Sequence, residues 1–294
     1  MRNLDETSIT AAVLSRLDGA ASPRVLQVSR ALVEHLHAFV REIEPTQPEW
    51  EAAIGFLTRT RKMCDDARQE FILLSDALGV SMLLDSINHR FPGEATETTV
   101  LGPFYVDAAP EHALGADIAA GMDGQVLLVE GRISWADGTP LAGAVVDTWQ
   151  ADDDGYYDVQ RAPGLDGPAG RARLRTDAAG QFWFRSVVPA SYPIPDDGPV
   201  GDMLTAQGRH TFRPAHIHFM ISSPGCETLV THVFLADDPY LESDVVFGVK
   251  DSLIRRLEDQ PAGLSARGNP VEQDMKALRY DFVLAPALNP SDFI

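Results

Sequence analysis

The sequence predicts an α+β protein: a helical amino-terminal region, residues 1–98, followed by an antiparallel β-sandwich, residues 99–294. Two observations predict this. Apolar residues recur at three- and four-residue steps only up to about residue 91, and beyond it short β-branched runs alternate with Gly, Pro and Asp. A 294-residue chain that is 45% hydrophobic and 23% charged has ordinary globular composition and can bury a sizeable core.

In the helical region Val25, Val28, Leu32, Leu36 and Phe39 form one apolar stripe. Thr46-Gln47-Pro48-Glu49 has the form of a capping box, in which hydroxyl and carboxylate each satisfy the other residue's main-chain N–H. It opens a second stripe through Trp50, Ile54 and Leu57, and Phe71, Leu74 and Leu78 keep the period in a further helix. Strands are predicted at 125–134, 143–150 and 181–188, with a late one at 279–284. Asp137-Gly138, Asp154-Gly155 and Ala179-Gly180 supply turn chemistry between the runs. Segment 243–258 alternates less and is expected to be helical, and 193–203 is expected to be an irregular loop.

Charge excludes some partners. With 24 Lys and Arg against 43 Asp and Glu, a net charge of -19 opposes binding to nucleic-acid phosphates or anionic membranes. Asp5 and Glu6 stand where a secretory leader needs positive charge, and no apolar run approaches membrane-spanning length. Cys64 and Cys226 are too few and too far apart for a disulfide framework or a cysteine metal site. A cytoplasmic chain is the expectation.

The chemistry concentrates in Arg213-Pro214-Ala215-His216-Ile217-His218-Phe219-Met220. On a strand, His216 and His218 share a face while Ile217 and Phe219 take the other, and Cα atoms roughly 6.6 Å apart let two imidazoles meet one metal. An isolated HxH leaves structural histidines, a metal-free β-sandwich and a zinc hydrolase all open. Two tyrosines in unusual settings narrow the choice: Tyr157, after Asp152-Asp153-Asp154-Gly155-Tyr156, and Tyr192, in Pro189-Ala190-Ser191-Tyr192-Pro193. Either tyrosine alone would read as a packing residue.

Together these motifs resemble those of the intradiol ring-cleavage dioxygenases, from about Thr99 to Leu284, and the helical preamble is similar to that of the family's catechol and hydroxyquinol branch. The resemblance implies one Fe(III) per subunit, held by Tyr157, Tyr192, His216 and His218, and cleavage by O2 of an aromatic diol between its hydroxyl-bearing carbons. It makes Tyr192 the displaceable ligand that accepts a substrate proton, and Arg213 a cation that steadies negative charge on the ring. Strict alternation would aim Arg213 away from His216, but Pro214 restricts it to extended or turn geometry. His232 reads as a packing histidine.

Val100-Leu101-Gly102-Pro103-Phe104-Tyr105 and Asp154-Gly155-Tyr156-Tyr157-Asp158-Val159-Gln160 resemble the hydroxyquinol branch. That points to benzene-1,2,4-triol as substrate, with catechol or a chlorocatechol as the alternative. The same resemblance lines the pocket with Leu73, Asp76, Leu101, Gly102, Pro103, Phe104, Ile194, Pro195 and Val246. Asp76 can accept a hydrogen bond from a third ring hydroxyl. Leu101 stands where a phenylalanine is expected, implying a roomier pocket. Met82, Leu83 and the apolar face from Val25 to Val40 would be core in most proteins; in this family such helices pair two subunits around bound phospholipid, so a homodimer is implied.

Overall fold

A computed structural model describes residues 2–65, 68–91, 93–107, 109–119, 121–161 and 167–287. The chain divides into two compact units, 1–59 and 60–294.

The first unit carries α1 (Ile9–Leu14), α2 (Pro23–Ile43) and most of α3 (Gln47–Lys62). Helix α2 starts where Ser22 accepts a hydrogen bond from Val25 N and Pro23 supplies a pre-set φ. The capping box of α3 forms as read: Glu49 accepts from Thr46 N at 2.7 Å, and Thr46 Oγ1 accepts from Glu49 N at 3.4 Å. The apolar stripes, however, face outward within this unit, with Leu32, Leu36, Phe39, Trp50 and Leu57 between 47% and 63% exposed.

The second unit continues with α4 (Glu70–Ala77) and α5 (Val80–Asn88), then β1 (Val126–Ser134), β2 (Val145–Gln150), α6 (Asp158–Arg161), β3 (Arg171–Arg175) and β4 (Gln181–Val187). There follow β5 (Tyr192–Pro193), α7 (Pro199–Ala206), β6 (Phe212–Arg213), β7 (His216–Ser222), β8 (Leu229–Leu235), β9 (Ile254–Arg255), β10 (Glu258–Gln260), β11 (Gly263–Leu264), β12 (Pro270–Val271), β13 (Met275–Arg279) and β14 (Phe282–Val283). One sheet runs β3-β2-β7-β8-β9; the other centres on β1, flanked by β4 and by β13 and β14, with β10 beyond β13. Most pairings are antiparallel, but β1 pairs parallel with β13 and β14, as β8 does with β9. Alternating residues Leu127, Val129, Phe182, Phe184, Ile217, Phe219 and Ile221 interlock as the core of the sandwich.

Three local expectations are corrected. Segment 243–258 has a 3-10 turn at Asp251–Leu253 and the strand β9 in place of a helix: Phe247 has φ 60°, outside helical geometry, in a turn where the Asp244 carboxylate accepts from Val246 N and Gly248 N. The loop at 193–203 is interrupted by α7, started by Pro199 at its first turn. The late strand at 279–284 is split by Tyr280 and Asp281 into β13 and β14.

Candidate metal centre

Alternation along β7 sends Ile217 and Phe219 into the sandwich core, which leaves His216 and His218 on the outer face of the sheet. Three other segments wrap over that face. Strands β5 and β6 pair Tyr192 with Arg213, while the turn after β2 brings Tyr157, and residues 102–105 pass above His218. Two glycines make the close approaches possible. A Cβ on Gly155, at φ +87°, would sit 2.9 Å from Tyr192 Cβ, and one on Gly102, at φ +78°, would sit 3.1 Å from His218 Cε1.

The four side chains meet. His216 Nε2 lies 3.1 Å from His218 Nε2, Tyr157 Oη lies 2.9 Å from His218 Nε2, and the two tyrosine hydroxyls are 3.4 Å apart. None of the four exceeds 2% exposure. Trp149 stacks on His218 with centroids 4.6 Å apart, and Phe104 stacks on Tyr157 at 4.4 Å, so both rings are clamped. The neighbouring Tyr156 points outward, half exposed, under the Arg161 guanidinium.

Hydrogen bonding fixes the tautomer of His216. Its Nδ1 lies 2.6 Å from the Pro214 carbonyl, which can only accept, so Nδ1 carries the proton and the Nε2 lone pair faces the site. Burial, and for His216 the nearby Arg213 charge, push both imidazoles well below their usual range, so they are neutral donors. Burial, then the adjacent Tyr192, push the Tyr157 phenol well above 10. Four buried donors with convergent lone pairs thus fit a metal ion, whose charge would ionise the phenol.

His232, opposite His218 in β8, is fully buried and completes a group of three imidazoles able to hold a metal. The Arg213 guanidinium touches both it and the HxH pair: Nη2 is 3.3 Å from His232 Nδ1 and Nη1 is 3.3 Å from His216 Nε2. Sequence reasoning treated His232 as packing; its in-register position beside the HxH strand was the missing signal. Arg213 itself is 2% exposed, with Nη1 3.3 Å from His216 Nε2 and Nε 3.3 Å from Asp244. Burial works against its charge, but Asp244 and the two tyrosines outweigh it and keep it cationic. Pro214 does end β6, so Arg213 escapes the alternation of β7.

The pocket residues divide. Leu73, Asp76, Leu101, Gly102 and Pro103 line a cavity of about 680 Å³, and Leu73, Pro103, Phe104 and Pro195 line an adjoining one of about 440 Å³. Ile194 and Val246 line neither; they pack with Leu73 in the apolar cluster alongside. Asp76 is 5% exposed, not a surface acid, and burial raises its carboxyl above the usual range against the pull of Ser81 and Arg213.

Comparison with known proteins identifies the family. A family profile described as "Dioxygenase" matches residues 100–286, and one described as "Catechol dioxygenase N terminus" matches residues 22–96. A 6-chlorohydroxyquinol 1,2-dioxygenase of Cupriavidus pinatubonensis is 51% identical over 98% of this chain and 100% of its own length. A hydroxyquinol 1,2-dioxygenase of Nocardioides simplex is 47% identical over 96% of each chain. The crystal structure of hydroxyquinol 1,2-dioxygenase from Pseudomonas putida DLL-E4 matches with TM-score 0.90 and 48% identity, over 96% of this chain and 99% of that one. With its buried histidine and tyrosine cluster on the outer face of a β-sandwich, the chain belongs to the intradiol ring-cleavage dioxygenase family.

Proposed function

We propose that this chain is a hydroxyquinol 1,2-dioxygenase that opens benzene-1,2,4-triol with O2 to 3-hydroxy-cis,cis-muconate, the enol form of maleylacetate. The observation that carries the reading is the convergence of Tyr157, Tyr192, His216 and His218 beside a cavity containing the buried Asp76.

These four side chains would hold one Fe(III), a hard cation suited to two phenolates and two imidazoles. When bound, the ferric ion supplies the Lewis acidity that ionises the phenols and the electron-accepting character that makes a chelated diol reactive toward O2. The remaining work belongs to the chain. Tyr192 Oη is the group positioned to receive a proton from a substrate hydroxyl. Arg213, pinned by Asp244, presents a fixed cation to negative charge on the ring. Asp76 accepts the hydrogen bond of the third hydroxyl, and Leu73, Leu101, Pro103 and Phe104 exclude water around it.

We assign the catalytic role to residues 99–294 and pairing of two subunits to residues 1–98. Supporting this is the apolar groove of about 810 Å³ in the first unit, lined by Leu36, Phe39, Val40, Trp50, Ile54 and Leu57, which suits a second subunit's helix or a phospholipid chain. No described helix is long and apolar enough to cross a membrane, and we infer a cytoplasmic enzyme. The test is oxygen uptake with hydroxyquinol, catechol, 4-chlorocatechol and protocatechuate, alongside iron analysis. Hydroxyquinol should give the highest kcat/KM; preference for catechol, or an iron-free active protein, would overturn the assignment.

A further inference from the structure

Behind the tyrosine arm lies a buried ion pair that none of the roles above uses. Asp158 follows Tyr157 directly, and Arg171 lies on β3; they are 8% and 3% exposed. Arg171 Nε donates to Asp158 Oδ2 at 2.7 Å, and Nη2 donates to Oδ1, completing a two-point fork. The remaining nitrogen, Nη1, donates to the main-chain carbonyl of Phe104 at 3.2 Å. Phe104 is the ring stacked on Tyr157.

Strand register gives this pair its meaning. Arg171 is directly opposite Trp149 on β2, Trp149 is opposite His218 on β7, and directly opposed residues share a sheet face. A single rung therefore runs from Arg171 through Trp149, stacked on His218, to the imidazole itself. From the same Arg171 a second route runs through Asp158 to Tyr157. The two routes close where Tyr157 Oη meets His218 Nε2 at 2.9 Å.

We propose that Arg171 and Asp158 are a positioning pair that sets the placement of the Tyr157 oxygen relative to His218, and so the geometry of the Tyr157–metal bond. The inference rests on Tyr157 being a metal ligand. Neither residue touches substrate; the pair acts through Tyr157 and Phe104. Lysine cannot replace the fork, because its single ammonium cannot hold both carboxylate oxygens and the Phe104 carbonyl in one plane.

The test uses full-length, iron-loaded protein. Wild type should show a visible phenolate-to-Fe(III) charge-transfer band; its absence would refute Tyr157 as ligand and leave the pair without a purpose. Arg171→Lys should bind iron in the same ratio while its band shifts or weakens, with kcat falling on the order of 10- to 100-fold and KM little changed, as displacement of a reacting group by about an ångström would give. Asp158→Glu keeps the charge but lengthens the arm, and should move the band even if Arg171→Lys fails to fold. The comparison is Arg279→Lys, which weakens a similar bridge to the fully buried Glu130 in the other sheet. It should lower thermal stability and leave the band in place. A wild-type band in iron-loaded Arg171→Lys or Asp158→Glu, or an equal band shift in Arg279→Lys, would reduce the pair to ordinary scaffolding.

Discussion

Replacing Asp76 with Ala separates substrate reading from every other role of the site. Asp76 is 5% exposed on the wall of the 680 Å³ cavity, with Leu101, Gly102 and Pro103 on the same lining. A hydrogen bond to a charged acceptor contributes about 1.5–3 kcal/mol, so kcat/KM for hydroxyquinol should fall roughly 10- to 150-fold. Catechol has no third hydroxyl to offer, so against it the buried carboxylate gains no partner from the substrate, and catechol should lose little or gain. Oxygen-electrode measurements of both diols on one preparation give the ratio directly. Because burial raises the Asp76 carboxyl above the usual 3.8, the acceptor is neutralised within a window above that value. Wild-type preference for hydroxyquinol should therefore decline as pH falls through this window, and the Ala variant should show no such limb. The sign for stability is opposite to that of a salt-bridged acid: the folded state binds this proton more tightly, so its contribution is full below 3.8 and is lost as pH rises through the raised pKa. Asp76→Asn should accordingly raise Tm near neutral pH. Equal losses for hydroxyquinol and catechol would refute the reasoning, since damage to the iron site or fold depresses both alike.

Other substitutions probe the centre itself. Tyr157→Phe should weaken the visible absorption and activity together; full colour and turnover would remove Tyr157 from the metal. His218→Ala should lose most of its iron, as elemental analysis will read, whereas Ile217→Val, facing the core, should keep it and lose only about 0.5–1.5 kcal/mol of stability. Gly155→Ala must put a Cβ at 2.9 Å from Tyr192 Cβ with φ +87°, so strain and overpacking should remove about 2–4 kcal/mol in denaturant unfolding and lower activity with it. An unchanged midpoint would mean the 152–157 turn is not packed as described.

How much of this was legible in sequence follows from what each signal depends on. Period-two alternation in HIHF needs only a strand, and β7 sends the histidines and the core residues to opposite faces as the pattern requires. The capping box of α3 is equally local, its partners being three residues apart. Segment 243–258 misled because its helix-like spacing is broken at Phe247, with φ 60°, in a turn anchored by Asp244, which pairs with Arg213, 31 residues away. No local window contains that ion pair. The same holds for Arg213, whose burial depends on β6 pairing with β5, and for Asp76, whose spacing on a short helix fits a surface acid until α7 and the 245–246 segment cover that side.

The apolar stripes of α2 and α3 show the reverse case, in which the pattern is right and the usual conclusion from it is not. An i, i+3, i+4 stripe announces a face that needs covering but not what covers it. Val25, Val28, Leu32, Leu36 and Phe39 stay 48–63% exposed within their own unit, more apolar surface than an isolated chain ordinarily leaves in water. Hydrophobic periodicity is thus a statement about free energy left unsatisfied by the chain alone. In the β-sandwich the chain satisfies it internally, which is why the strand readings at β1, β2 and β4 translate directly into core. On α2 and α3 the same physics leaves the apolar face uncovered within the unit; the subunit pairing proposed above predicts its burial, to be read by hydrogen exchange or by the concentration dependence of Tm.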